Sequence, residues 1–168
     1  MAWAIGGRMT DSKRVTTVAD VLEQALEPTI NDWQRRVNEV PTLTNIALSD
    51  EDRTGHLPKL YFDLICRLRL AKDAKPPRSA TTAAHGRLRR AQGYSASMLV
   101  EESRVFQVAT FGALRLHQDE LDQSELLSDI MVIADEVDAQ LEETVRGFSM
   151  AEPAANLLIN LPPELQAT

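Results

Sequence analysis

The sequence predicts an all-α chain: a single helical-bundle domain of about six helices that ends in a long antiparallel pair. Three observations predict it. Apolar residues recur every three to five positions in one segment after another, the period of a helix with one buried face. No convincing alternating run marks a strand. Proline and glycine fall where helices would start and stop.

In the first segment Val18, Leu22, Ala25, Ile30, Trp33, Val37 and Val40 form one stripe. Pro28 lies inside it and lacks the N–H an interior helix position needs, so helices are expected over 15–27 and 29–40. Residues 41–49 connect them to a short turn that Ser49 caps over Asp52. Pro58 suits the first turn of the next helix, whose stripe is Leu57, Leu60, Tyr61, Leu64, Ile65 and Leu68. Residues 72–79, with Pro76 and Pro77, read as a loop. A helix over 80–92 carries a narrow stripe of Ala80, Ala84, Leu88 and Ala91, small enough for a neighbour to approach closely. Gly93 is placed to end it in a left-handed conformation. A long helix over 95–117 presents Met98, Val105, Ala109, Gly112 and Leu116. Asp122 or Ser124 caps the last one, striped by Leu126, Ile130, Ile133, Val137, Leu141 and Phe148 and widened by Leu127, Met131 and Ala134. The expected organisation is a flexible segment over 1–14, a domain over 15–150 and a tail or linker over 151–168.

Composition narrows the function classes. The chain has 168 residues, 43% apolar and only 5% aromatic, which suits one domain with its own core. No run approaches a membrane span. A net charge of −7 argues against nucleic-acid binding. One cysteine, Cys66, excludes an internal disulfide framework and suits a reducing cytoplasm. On its helix it reads as a small buried hydrophobe. Charge is segregated: residues 67–90 hold eight bases against one acid, and 119–152 hold eleven acids against one base. The two stretches either face each other, coat solvated helices, or form an interaction surface.

No motif for catalysis, phosphate binding or metal ligation appears. His56, His85 and His117 lie about thirty residues apart without local ligand spacing. His85, in AAHGRLRRAQG, borders the packed stripe. It is read as a boundary histidine with one hydrogen bond, as a phosphotransfer histidine, or as a haem ligand. Phosphotransfer wants small neighbours, and Arg89, four residues on, is large. A haem pocket wants aromatic walls, to which Tyr61, Phe62 and Phe106 would contribute, from four phenylalanines in the chain. Glu102 lies on the inward seam of its helix and, if buried, needs a partner. His85, Arg87 and Arg90 on the preceding helix are the candidates for an interhelical polar network with it. A rotated helix would leave Glu102 exposed instead.

Three stretches, in this order and spacing, resemble the N-terminal domain of the RsbT co-antagonist RsbRD family. They are PTINDWQRRV, with Trp33 ahead of a basic stretch ending at Val37; LSDEDRTGHLPKLYFDLICRL; and HGRLRRAQGYSASMLVEESRVF, which holds His85, Arg87, Arg90, Gly93, Leu99, Glu102 and Arg104. The resemblance spans about 25–148 and departs at Ser103, where the family commonly has a bulky residue. It implies a globin-like, haem-free dimeric input domain of stress-response or sensor-kinase signalling. It further implies a protein partner or output domain of STAS, histidine-kinase or transcription-regulator type, for which no length remains after residue 150. The expectation is a non-enzymatic, cytoplasmic regulatory domain without cofactor, metal, nucleic acid or membrane contact. It is expected to dimerise or bind a partner through Leu126, Ile130, Ile133, Val137 and Leu141. A small-molecule or haem-binding sensor on the same fold, and a phosphotransfer module using His85, are the alternatives.

Overall fold

A computed structural model describes residues 16–71, 74 and 80–151. The segments expected over 1–14 and beyond 151, and all of the 72–79 loop except Ala74, lie outside the described residues.

Among the described residues the chain forms eight α-helices and one 3-10 turn. Thr17 opens α1 (Val18–Gln24) with a reciprocal capping box to Asp20. α2 (Leu26–Asn38) follows at once, the break falling at Ala25. Pro28 therefore sits in the first turn of α2, where its missing N–H costs nothing, and the boundary lies a few residues earlier than expected. Two short helices occupy the connection: α3 (Pro41–Thr44), and α4 (Asp50–Thr54), capped by Ser49 over Asp52 as its sequence predicts. They account for the excess over six. α5 (Leu57–Arg69) carries Pro58 in its first turn and buries Leu57, Leu60, Tyr61, Leu64 and Ile65.

α6 (Ala80–Ala91) is followed by Gly93 at φ +89°, the left-handed residue expected there. α7 (Ala96–Leu116) is capped by Ser95, and α8 (Gln123–Met150) by Asp122. The only β pairing among the described residues is a single bridge from Thr16 to Leu121, which ties the start of α1 to the start of α8.

α7 and α8 run antiparallel: Leu114 meets Leu126 at one end, and Leu99 and Phe106 face Val137 and Leu141 toward the other. The most extensive packing of α8, however, is against α6. Gly86 and Gly147 make this possible. A Cβ on Gly86 would lie 1.9 Å from the Thr144 carbonyl oxygen, and one on Gly147 would lie 2.0 Å from that of Ala83. Only hydrogen fits at either point, so the two backbones touch. The contact progresses from Thr82 beside Gln140 to Arg90 over the Phe148 ring, so α6 and α8 run in the same sense. The core between the helices holds Trp33, Leu43, Leu57, Tyr61, Leu64, Leu99 and Ile133 with almost no exposure.

Two sequence expectations fail here. α6 packs closely, but not through Ala80, Ala84, Leu88 and Ala91. Ala80, Ala84 and Ala91 are exposed, and Leu88 is 49% exposed. Its buried face is Thr82, His85, Gly86 and Arg89. Cys66 is exposed, not buried, because it falls off the Leu57–Leu64 stripe and toward a groove shared with Phe62 and Ala139. The basic α5–α6 region and the acidic α8 do lie against one another, lining that groove from both sides with Lys59 and Arg67 opposite Glu136 and Glu143.

Candidate functional site

The polar face of α6 is the centre of the site. His85 and Arg89 are four residues apart, hence on one side of the helix. Both are buried, Arg89 completely. Glu102, nearly two turns into α7, meets them. Arg89 Nη2 donates to Glu102 Oε1 at 2.6 Å and Nε to Oε2 at 3.2 Å, a two-pronged pairing of fork and carboxylate. The remaining donors close the cage: Nη2 reaches the Arg53 carbonyl at 3.0 Å, and Nη1 reaches the Asp52 carbonyl at 3.1 Å and Gln92 Oε1 at 2.8 Å. The Tyr94 ring lies under the guanidinium, 4.8 Å from its carbon. Arg89 thus fastens the last turn of α4 and the start of α7 to α6.

His85 Nε2 lies 3.2 Å from Glu102 Oε2. A carboxylate only accepts, so Nε2 carries the proton. Nδ1 is then left buried without a hydrogen-bond partner. The other face of the ring is covered by His56, at the start of α5, stacked at 3.8 Å with planes 15° apart. Trp33 from α2 closes edge-on against His56 at 6.0 Å. A cavity of about 30 Å³ adjoins the cluster, walled by Leu57, Leu99, Phe106 and Val137 with Gln140 and Thr144 of α8. That is room for a water or two.

Electrostatics follow from this burial. Desolvation alone would raise the Glu102 carboxyl, but the His85 hydrogen bond, then attraction to His56, Arg89 and His85, outweigh it and hold it down at about 2. Burial and the adjacent His85 keep the His56 imidazole well below its ordinary 6.5; Glu102 pulls it up, and Arg89 pushes it down by less than Glu102 pulls. At neutral pH the cluster is one carboxylate, one guanidinium and a neutral His56.

Donor atoms of His56, His85 and Glu102 lie within 4.8 Å of one another, the one such grouping among the described residues. Both Glu102 oxygens are already held by Arg89, and face-to-face rings direct their lone pairs side by side instead of at a common point. The arrangement suits an ion pair better than a metal ion.

The structure sorts the residues named from the sequence. His85 and Glu102 come together. Arg87 is exposed, and Arg90 leaves the cluster to stack on Phe148 at 4.6 Å. Arg89 fills the place expected of them. Its signal was the four-residue step from His85. His56 is the residue that reading missed, since only the tertiary fold brings α5 against α6. Burial of His85 removes the exposure phosphotransfer needs, and the cavity beside it is far too small for a porphyrin.

The expected partner face also needs correcting. Ile133 and Val137 are buried in this chain, and Leu126, Ile130 and Leu141 are partly covered by it. That stripe is core because α6 and α7 occupy it. The large apolar residues α8 leaves open are Leu127, Met131 and, at its last turn, Met150, at 70%, 67% and 77% exposure.

Fold and cluster together define the class: an all-helical domain organised around a buried ion pair and a histidine stack. Comparison of the chain with protein-family models, with curated proteins and with solved structures finds no match.

Proposed function

We propose that the chain is a non-enzymatic signal-input domain that works by helix packing, with a second copy or a protein output module as its partner. One observation carries the reading: α6 joins the buried cluster on one face to a backbone-to-backbone contact with α8 on the next, through His85 and Gly86. A change in the cluster moves α6, and α6 cannot shift without moving α8. The sequence resemblance to an input domain points the same way. No helix among the described residues is long and apolar enough to cross a membrane, which fits a cytoplasmic site of action. The face of α8 offered to the partner is Leu127 and Met131.

Native mass spectrometry and hydrogen exchange on the full chain test this. The wild type is expected to self-associate, and Leu127→Asp with Met131→Asp to be monomeric yet equally helical. Glu102→Gln is expected to raise exchange over 140–150 in α8, well beyond its own helix. A monomeric wild type whose α8 exchange is indifferent to Glu102→Gln would overturn the reading.

A further inference from the structure

We propose that the signal read by this domain includes the proton: charging His56 breaks its stack on His85, frees the start of α5 from α6 and relays the change to α8 through the close backbone contacts of Gly86 with Thr144 and of Gly147 with Ala83. The inference rests on the input-domain reading and names its stimulus.

The groups around His56 make the case. From α6 it faces His85 and Arg89; from α7, Glu102; from α2, the uncharged Trp33; from α8, the uncharged Gln140 and Thr144 across the cavity. Arg53 of α4 turns its guanidinium to the Leu43 and Ile46 carbonyls. The single carboxylate in this set is already paired with Arg89 through both oxygens. A proton taken from water by His56 therefore places a second cation beside the guanidinium with no free anion to meet it, and stacked against another imidazole. Separation of the rings into water relieves this.

The sign follows from linkage. His56 is held below 6.5 when closed and returns to about 6.5 when its ring reaches solvent, so the open form binds more protons. The closed form keeps its full advantage above pH 6.5. Below it, the open population grows about tenfold per pH unit until the closed-state value is reached. Glu102 stays ionised throughout this window, since its carboxyl titrates only at about 2. The ion pair with Arg89 thus persists while the stack opens, which makes the change local and reversible.

Nitrogen-15 NMR of the imidazoles in the full chain, from pH 7.5 to 5.0, reads this directly. Free imidazole in the same buffer serves as the reference. Expected is a closed species with neutral His56, and a second species with charged His56 that rises about tenfold per unit below 6.5, in step with amide shifts at 144–148. His56→Gln should abolish those α8 shifts; if that variant does not fold, the wild-type ring and amide signals decide alone. His56 titrating in place near 6.5 with α8 unmoved, or α8 shifts that persist in His56→Gln, would overturn the proposal. Self-association of the same samples separates the two readings. If the wild type stays monomeric and α8 exchange ignores Glu102→Gln while the charged His56 species appears, the proton site stands and the input-domain reading falls.

Discussion

α6 and α8 touch along their backbones, yet each fills the interior by opposite means. α8 buries Ile133, Val137 and Phe148 and leaves most of its charge outside. α6 buries a threonine, a histidine and an arginine around one glycine, and turns Leu88 outward. The α8 face is an apolar stripe flanked by buried Glu136, Gln140 and Thr144, with Gln140 donating to Glu136 and to the Leu60 carbonyl. The α6 face is a polar network, and such networks are strong only while every member is satisfied. The two helices are joined where Gly86 meets the Thr144 backbone and Gly147 meets that of Ala83.

The comparison breaks most sharply at Arg89. Arg89→Met keeps the volume and leaves Glu102 buried without its cation, so a loss of about 3–5 kcal/mol in urea unfolding is expected. Arg89→Met combined with Glu102→Leu removes both charges and should recover much of that loss. If the single variant costs less than about 1 kcal/mol, the cluster is not a network and the contrast with α8 disappears.

Next in size is Gly86→Ala. Alanine is the better helix former, so an exposed site would gain about 1 kcal/mol. Here the methyl carbon meets the Thr144 carbonyl at 1.9 Å and its carbon at 2.8 Å, and backbone cannot step aside as a side chain would. A net loss of about 1–3 kcal/mol is expected, with raised hydrogen exchange in both helices. Gly55→Ala is a weaker control: its Cβ would meet a backbone oxygen of its own short helix, at 2.8 Å, and would leave α8 exchange untouched. Equal effects from the two would mean that α6 and α8 are not in close backbone contact.

What the sequence made legible follows the same division. The caps at Ser49 and Asp122, the left-handed Gly93 and the stripes of α5 and α8 were readable because local hydrogen bonding and apolar periodicity fix them. The inward face of α6 was not. Apolar periodicity selects Leu88 and the alanines, whereas the helix turns by the pairing of Arg89 with Glu102 and by the fit of Gly86 against α8. Glu102 was recognisable from its place between Met98 and Val105; its cation was sought two residues before and one after the true partner, at Arg87 and Arg90 rather than Arg89. His56 had no local signal, since its contact is made across 29 residues. The stripe of α8 was read correctly as apolar and wrongly as an outer face, because periodicity says that a face is buried without saying what buries it.

The smallest expected effect sharpens that last point. Leu88 projects from α6 into water at 49% exposure, directly opposite the reading its hydrophobicity invites. Leu88→Gln removes an apolar side chain without opening a cavity, and glutamine is nearly as good a helix former. A stability change within about 0.5 kcal/mol is expected in the isolated chain. By contrast Val137→Ala, a smaller deletion on the buried stripe of α8, should cost about 1–2 kcal/mol because its space cannot be refilled. A Leu88→Gln loss as large as that of Val137→Ala would show that α6 turns its alanine–leucine stripe inward, and that His85 and Arg89 face water.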